Sequence, residues 1–429
     1  MRVDPASARD AAGGARPRLV SSTHPTPAFD PIEVFAAAEH VESRSLWLRP
    51  ATGEALVGVG SAAVLSGEPA AVAAQWRALT ANAQMDGSAA AGGPRLLGGF
   101  RFDPLAPGTR LWAGFGIGRL VLPDRLYARQ HQATWLTTSR VVDGSLPVAR
   151  PFDVAAPARI GLEPEDWQRL VADVAAAITR GETGLRKVVL ARARQVQTQV
   201  SLEAALRKLA DRYPTCTIFA FATLDACFLG ATPERLVALH DGTATTMALA
   251  GTAPRGETPE VDRRIAARLL GDPKERTEHA VVADALRESL APLATRVVAE
   301  AEPRIHALPN VQHLITPIRA HMADGRGVLD VVAGLHPTPA VGGYPRDPAL
   351  QLIRAREKLD RGWYAGPVGW VDAHGEGEFV VGLRSALVRG DTATLFAGCG
   401  IVGDSDPATE YAEWGWKLRP MSAALGGVA

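Results

Sequence analysis

The chain has 429 residues, of which 47% are hydrophobic and 21% are charged, a composition typical of globular proteins with enough apolar side chains for a large core. Its 46 basic side chains balance its 46 acidic ones, so no net charge favours nucleic acid, an anionic membrane or a polycationic partner. The three cysteines form no CxxC pair, which indicates neither a disulfide framework nor a zinc site.

The N-terminal segment and the apolar runs bear on where the protein is found. Residues 1–30 are rich in Ala, Gly, Pro, Ser and Arg without periodicity, so we predict a disordered tail outside the fold. The tail lacks the apolar centre of a signal peptide, and no apolar run approaches the roughly 20 residues of a membrane helix. We therefore expect a cytoplasmic protein without a membrane or nucleic-acid partner, and we expect it to be a monomer.

Residues 31–150 are predicted to form a β-rich part of the fold. Short apolar runs separated by Gly, Pro and Asp predict antiparallel strands at 45–48, 56–59, 96–102 and 118–122. One helix, near 69–82, is predicted between these strands.

Residues 151–429 alternate between helical and strand patterns and are predicted to form the catalytic region. Helical periodicity predicts helices at 163–180, 201–212, 258–292, 327–334, 347–359 and from about Pro407 onward. Strands are predicted at 186–193 and in clusters at 217–252, 296–321 and 365–402. A hairpin joining 368–371 to 379–383 indicates antiparallel sheets with helices packed outside them, which is an α+β fold.

Two pairs of glutamates have helical spacing. Glu410 and Glu413 stand at i and i+3, with Lys417 at i+7, so at about 100° per residue all three project from one face of the closing helix. Glu275 and Glu278 repeat the i, i+3 spacing in an earlier helix. Such pairs are commonly solvated helix faces. If the fold brings the two pairs together, however, four carboxylates need a hard cation such as Mg²⁺ between them.

Two further residues are candidates for acid–base chemistry. Lys187 opens a strand whose two faces are both apolar, so its ammonium group either reaches solvent at the strand end or is partly buried. Partial burial lowers the pKa of a lysine, which would let Lys187 act as a general base toward water. Glu234 follows an apolar strand at a sharp turn, where a protonated carboxyl could act as a general acid. A salt bridge, for example with Arg235, is its structural alternative.

Arginine and glycine residues indicate where an anion could bind. Arg384 interrupts the apolar run 379–387, which we predict to be one strand, and a buried guanidinium group needs an anion of matching geometry, most often a carboxylate. A structural Asp or Glu would serve equally well. Gly251, Gly398 and Gly400 let backbone N–H groups approach an anion closely. The residues by themselves therefore indicate a metal–carboxylate site and an acid–base pair.

Taken together, these stretches resemble the chorismate-utilising enzymes, which include the anthranilate, aminodeoxychorismate, salicylate and isochorismate synthases. The resemblance covers about residues 160–425. It rests on ordered motifs, namely KVVLAR at 187–192, LAGT at 249–252, ERTEH at 275–279, LHPTPAV at 335–341, WYAGPVGW at 363–370 and AGCGIV at 397–402.

The resemblance implies one large α+β domain, with two antiparallel sheets flanked by helices and the site in a cleft between them. It also implies that Glu278 and Glu413 bind Mg²⁺ directly, and that Glu275 and Glu410 act through bound water. The metal would hold the ring carboxylate of chorismate, the small-molecule substrate.

The resemblance also implies roles in substrate binding and catalysis. Arg384 and Tyr364 would bind the enolpyruvyl carboxylate. Lys187 would take a proton from water and Glu234 would donate one to the leaving hydroxyl. The remaining substrate surface would be lined by Thr252, His313, Lys417 and the backbone near Gly251 and Gly400.

Three positions distinguish the reactions within this family. The anthranilate type uses ammonia and lacks the lysine found here at Lys187, so water is the expected nucleophile. Aminodeoxychorismate synthases carry a covalent lysine at the position of Ala250. Isochorismate synthases typically have alanine at the position of Ala340, where anthranilate and salicylate synthases have threonine. The resemblance thus implies reversible conversion of chorismate to isochorismate, in which water adds at C2 and the C4 hydroxyl leaves.

The N-terminal half bears on the pathway. The sequence GGFRFDP at 98–104, followed by Trp112, resembles menaquinone-type isochorismate synthases more than the siderophore type. A siderophore-pathway enzyme and a salicylate synthase, which goes on to eliminate pyruvate, are the alternatives. A catalytically silent homologue serving as a binding subunit is a third, against which the complete acid, base and four-carboxylate set argues.

Overall fold

The computed structural model describes residues 17–87, 92–144, 154, 156–182, 184–307 and 311–426. For Lys274 and Glu278 it describes the backbone and not the side chain. The elements of the first part are β1 (Arg18–Pro25), α1 (Pro31–Ala37), β2 (Arg44–Arg49), β3 (Glu54–Val59), β4 (Ala63–Ser66), α2 (Pro69–Thr80), β5 (Gln84–Gly87), β6 (Arg95–Phe100), β7 (Gly118–Leu122), β8 (Arg125–Gln130) and β9 (Ala133–Val142).

The second part begins with a helix and ends with one. Its elements are α3 (Pro164–Thr179), β10 (Lys187–Gln197), α4 (Leu202–Arg212), β11 (Thr217–Ala222), β12 (Cys227–Thr232), β13 (Arg235–His240), β14 (Thr243–Pro254), α5 (Pro259–Gly271), α6 (Pro273–Leu290), β15 (Ala294–Ala299), β16 (Arg304–Ala307), β17 (Val311–Met322), α7 (Val328–Leu335), β18 (Gly343–Tyr344), α8 (Arg346–Arg356), β19 (Pro367–Asp372), β20 (Gly377–Val381), β21 (Ser385–Arg389), β22 (Thr392–Ile401) and α9 (Pro407–Leu425).

The described strands form two sheets. Sheet one has 12 strands in the order β18-β10-β22-β21-β12-β11-β2-β3-β8-β9-β1-β5. Sheet two has 10 strands in the order β15-β17-β14-β13-β20-β19-β6-β7-β4, with β16 paired to β17. The pairing of β1 with β5 is parallel, whereas neighbours such as β10 and β22 or β14 and β17 are antiparallel. Helices α3, α4 and α9 pack beside sheet one, and α2, α6 and α7 beside sheet two. The predicted α+β fold with two flanked antiparallel sheets is therefore confirmed.

Both sheets contain strands from both parts of the chain. In sheet one β2 pairs with β11, and in sheet two β6 pairs with β19. The segments 31–150 and 151–429 are thus continuous in space through shared sheets. No helix in the described ranges is both long enough and apolar enough to cross a membrane.

The prediction of a tail outside the fold over residues 1–30 is wrong for residues 18–30. Strand β1 pairs along its whole length with β9, and alternate side chains such as Leu19 and Ser21 are buried. Asp30 then caps α1 by accepting hydrogen bonds from the N–H groups of Ile32 and Glu33. The partner strand lies more than a hundred residues away in sequence, so local composition gave no sign of this pairing. Residues 1–16 lie outside the described part.

Among the places where the chain passes from one sheet to the other, two are adjacent in space. One crossover is at Glu234, between β12 of sheet one and β13 of sheet two. The other includes Arg384, between β20 of sheet two and β21 of sheet one. The Val381 N–H donates to the Glu234 carbonyl at 3.0 Å, and the Ala231 N–H donates to the Arg384 carbonyl at 3.1 Å. The two crossovers therefore lie side by side.

The second crossover corrects the prediction of one continuous strand over 379–387. Arg384 has φ +47°, in the left-handed region that bulky residues rarely adopt. This backbone conformation breaks the apolar run into β20 and β21, which belong to different sheets. Arg384 therefore stands at a sheet junction and not within a strand.

Candidate active site

Glu234 occupies the first crossover, and its side chain is half-buried. Its N–H donates to Thr232 Oγ1 at 3.2 Å, which fixes the turn. Burial raises the pKa of the carboxyl from 4.5 to about 7, although Lys187, Arg384 and Lys417 each act to lower it. Within the described residues the carboxyl forms no ion pair, so the salt bridge considered as an alternative is not found there. A sizeable fraction of Glu234 is therefore protonated near neutral pH, as a general acid requires.

Lys187 is the first residue of β10, as predicted, and is half-buried. A Cβ built on Gly400 would lie 2.7 Å from Lys187 Cε and 3.2 Å from its Nζ. The end of the Lys187 side chain thus lies over Gly400 in β22, and a larger residue at position 400 would displace the lysine. Lys187 acts to lower the pKa of both Glu234 and Glu413, so its side chain lies within electrostatic reach of the acid candidate and of one carboxylate of α9.

Arg384 and Tyr364 supply hydrogen-bond donors in the same region, since Arg384 acts to lower the pKa of Tyr364. Among the described residues the Arg384 guanidinium group has no hydrogen-bond or ion-pair partner, although it acts to lower the pKa of Glu234 and Glu413. The Tyr364 ring stacks on Phe396 with centroids 5.2 Å apart. A Cβ built on Gly398 would lie 3.2 Å from the Tyr364 hydroxyl. Burial raises the pKa of that phenol, so it stays protonated and can donate to an anion.

Thr252 and His313 contribute from sheet two. Thr252 Oγ1 lies 2.9 Å from His313 Nδ1, and the Gly251 carbonyl lies 3.3 Å from the same nitrogen. Because a carbonyl can only accept, we assign the ring proton to Nδ1, which leaves Nε2 as an acceptor. Burial lowers the pKa of His313 to about 4, so the ring is neutral at physiological pH. Arg384 and Lys417 also act to lower this pKa, so both cations lie within electrostatic reach of His313.

The first turns of α9 carry two of the predicted metal-binding carboxylates. Oxygen atoms of Glu410 and Glu413 and the sulfur of Cys399 lie within 4.8 Å of one another. Burial raises the pKa of Glu410, and the neighbouring Glu413 raises it further against a hydrogen bond from Ser405. For Glu413, burial acts to raise the pKa, but Lys417, Arg384 and Lys187 together hold it below its usual value. Two partly buried, mutually repelling carboxylates are a donor set that suits a hard divalent cation.

Lys417 connects α9 to β22. Its Nζ donates to the Gly398 carbonyl at 2.9 Å and pairs with Glu413 Oε1 at 2.6 Å. Helix α6 supplies Glu275, since a Cβ built on Gly251 would lie 3.0 Å from Glu275 Oε2. Glu278 follows one turn later in α6, but its side chain lies outside the described part, so its role as a direct ligand stays a prediction.

Sequence reasoning did not identify three residues that support the site. Ser405 donates a hydrogen bond to Glu410. The buried pair of Glu357 and Arg361 ties β10 to the loop that carries Ala340, because Arg361 donates to the carbonyls of Val189 and Val341 at 2.7 and 3.0 Å. For Glu357 and Arg361, the available signal in the sequence was their opposite charges at i and i+4 near the end of a helix. No sequence signal identified Ser405.

Comparison with known proteins shows the family to which the chain belongs. The family described as Chorismate binding enzyme matches residues 6–155 and 153–426. The salicylate biosynthesis isochorismate synthase of Pseudomonas aeruginosa is 38% identical over 96% of this chain and 91% of its own. Isochorismate synthase MenF of Bacillus subtilis is 34% identical over 95% of this chain and 94% of its own. The structure of MenF, the menaquinone-specific isochorismate synthase from Escherichia coli, has a TM-score of 0.80 at 26% identity and covers 96% of each chain. The chain therefore belongs to the family of chorismate-binding enzymes.

Proposed function

We propose that this protein is a Mg²⁺-dependent isochorismate synthase of menaquinone biosynthesis that interconverts chorismate and isochorismate. Relatives that match nearly its whole length are isochorismate synthases. The observation that carries the proposal is Glu234, a half-buried carboxyl with a pKa raised to about 7, held within electrostatic reach of Lys187. This pair offers a proton donor and a proton acceptor at one cleft, which the exchange of a hydroxyl group on a ring needs.

Substrate binding follows from the cations and donors of the cleft. Chorismate carries two carboxylates. The Arg384 guanidinium group, which has no partner among the described residues, can form two parallel hydrogen bonds with the enolpyruvyl carboxylate, and the Tyr364 hydroxyl can donate a third. Thr252, His313, Lys417 and the backbone at Gly400 line the remaining surface in this proposal.

The ring carboxylate is assigned to the metal site. Glu278 and Glu413 would hold Mg²⁺ directly, and Glu275 and Glu410 would hold it through water. When bound, Mg²⁺ supplies positive charge that binds and neutralises the ring carboxylate. The closely spaced oxygens of Glu410 and Glu413 support this assignment.

The reaction requires that the attacking water lose a proton and that the departing hydroxyl gain one. Lys187 takes a proton from the water that attacks C2. The C2–O bond forms, the ring double bonds shift, and the C4–O bond breaks as Glu234 donates its proton to the departing hydroxyl. One water enters and one leaves, so the reaction is an isomerisation. In the reverse direction the two residues exchange roles.

The pathway, location and assembly are finer parts of the proposal. Similarity to two MenF proteins and the GGFRFDP motif support the menaquinone assignment. Loss of menaquinone on deletion of the gene, restored by the intact gene alone, is the expected result. Unchanged menaquinone would contradict the assignment. We also propose a cytoplasmic monomer, for which light scattering should give the mass of one chain, 45.3 kDa.

Product analysis tests the activity. Purified protein, chorismate and Mg²⁺ should yield isochorismate and remaining chorismate on chromatography, with no pyruvate. Salicylate and pyruvate in equal amounts would indicate a salicylate synthase instead. Chorismate that stays unchanged, while a known isochorismate synthase converts it under the same conditions, would indicate a binding subunit.

A further inference from the structure

Ser405 lies in the short turn between β22 and α9. Its Oγ lies 2.8 Å from Glu410 Oε1, and it accepts a hydrogen bond from the Val402 N–H at 3.1 Å. Because the backbone N–H can only donate, the serine oxygen accepts from it and its own proton is directed to the carboxylate. The result is a chain of hydrogen bonds that runs from the end of β22 through Ser405 to Glu410.

The turn that holds Ser405 is itself fixed at both ends. The Ser405 N–H donates to the Val402 carbonyl at 3.1 Å, which closes the turn. Asp406 caps α9 by accepting from the Thr409 N–H at 2.8 Å and the Thr409 hydroxyl at 2.7 Å. Ser405 therefore presents its hydroxyl from a rigid support.

Glu410 has a like-charged neighbour, Glu413, close beside it. A carboxylate oxygen of Glu413 lies within 4.8 Å of one of Glu410, so the two like charges repel each other, whereas the Ser405 hydroxyl donates a hydrogen bond to Glu410. Without the hydroxyl, the half-buried carboxylate of Glu410 would lose a neutral donor and keep its repelling neighbour. It would then turn away from Glu413.

We propose that Ser405 is a positioning residue of the metal site, whose hydroxyl holds Glu410 beside Glu413 before any metal arrives. The inference rests on the proposed Mg²⁺ site. Removing a group that orients a metal-binding side chain typically weakens metal binding by about 10–100-fold. Because Glu410 is assigned a water-mediated contact, we expect the lower end, about tenfold, for Ser405→Ala.

Titration with Mn²⁺ in the absence of chorismate tests the proposed role of Ser405. Free Mn²⁺ is measured by electron paramagnetic resonance. Ser405→Ala should raise the dissociation constant about tenfold. Ser405→Thr, which keeps the hydroxyl, should bind as the wild type does, and Ser405→Val, similar in size to threonine but without the hydroxyl, should bind as Ser405→Ala does. The Thr/Val comparison also decides the matter if the alanine variant does not fold.

Thr409→Ala is the matched control. It removes the hydrogen bond from the Thr409 hydroxyl to Asp406 at the same end of α9 and leaves the hydrogen bond between Ser405 and Glu410 in place, so it should leave Mn²⁺ affinity unchanged. Equal weakening by Thr409→Ala and Ser405→Ala would overturn the inference, because loss of helix integrity would then explain both. Unchanged Mn²⁺ affinity in Ser405→Ala and Ser405→Val would overturn it while leaving the metal site intact. Failure of the wild type to bind Mn²⁺ would overturn the metal site and the inference together.

Discussion

Replacing Glu234 with glutamine should inactivate the protein and at the same time stabilise it at alkaline pH. General acid catalysis is typically worth about 10²–10⁴-fold, so kcat should fall by at least about a hundredfold. The stability effect follows from the pKa, which burial raises from 4.5 in the unfolded chain to about 7 in the folded protein. At 1.36 kcal/mol for each tenfold change in proton affinity, this difference corresponds to about 3 kcal/mol.

The sign of the stability effect depends on pH. Below about pH 4.5 the carboxyl is protonated in both states, so its burial carries no ionisation penalty. Between pH 4.5 and about 7 the unfolded chain releases the proton while the folded protein keeps it, which increasingly favours unfolding. Above about pH 7 the full penalty applies. Glu234→Gln should therefore stabilise the protein by up to about 3 kcal/mol at pH 8 and have little effect at pH 4.5.

Thermal unfolding of the wild type and of Glu234→Gln at pH 4.5 and pH 8 measures this change in stability. An unfolding entropy of about 2.1 cal/mol/K per residue gives about 0.9 kcal/mol/K for 429 residues, so Tm should rise by about 3 °C at pH 8. Glu288→Gln, at an exposed helix position, is the control and should change Tm equally little at both pH values. A Tm change for Glu234→Gln that is the same at pH 4.5 and pH 8, or a fully active variant, would refute the assignment of Glu234 as a buried acid.

Three further predictions concern Arg384, the proposed metal site and the proposed base Lys187. Arg384→Lys should lower kcat/KM by about 10–100-fold, because an ammonium group cannot form two parallel bonds to a carboxylate; unchanged kinetics would make Arg384 structural. Excess chelator should abolish turnover, and Glu413→Gln should raise the Mg²⁺ concentration needed for half-maximal activity by at least about tenfold; full turnover in chelator would contradict the metal site. Lys187→Ala should lower rates about 10²–10⁴-fold in both directions. Gly400→Ala should reproduce part of that loss, since its Cβ would lie 2.7 Å from Lys187 Cε, whereas wild-type rates in both variants would exclude Lys187 as the base.

Local patterns in the sequence predicted most of the helices and strands. A helix was predicted over 201–212, and α4 spans Leu202–Arg212 with Ser201 as its cap, whose Oγ accepts from the Ala204 N–H. The hairpin of β19 and β20 also forms as expected. The errors arose where long-range contacts decide. Strand β1 depends on β9 for its partner, and the change of sheet at Arg384 depends on the neighbouring crossover at Glu234.

The candidate site was predictable to a similar extent. The i, i+3 spacing predicted that Glu410 and Glu413 would share a face, and their oxygens do lie close together. The raised pKa of Glu234 could not be predicted from its neighbours in sequence, because its burial results from the junction of two sheets. Ser405 escaped notice because a serine before a helix is usually only a cap or a turn residue.

The central claim is that water attacks C2 while the hydroxyl leaves from C4, and isotope labelling tests it most directly. Chorismate should be incubated with the protein and Mg²⁺ in H₂¹⁸O, and isochorismate formed at early times should be analysed by mass spectrometry. We predict that each newly formed isochorismate contains one ¹⁸O atom, located at C2. At later times the recovered chorismate should gain ¹⁸O at C4, because the reaction runs in both directions. Isochorismate that retains only ¹⁶O would contradict the account, since the hydroxyl would then have moved within the molecule without water as the nucleophile.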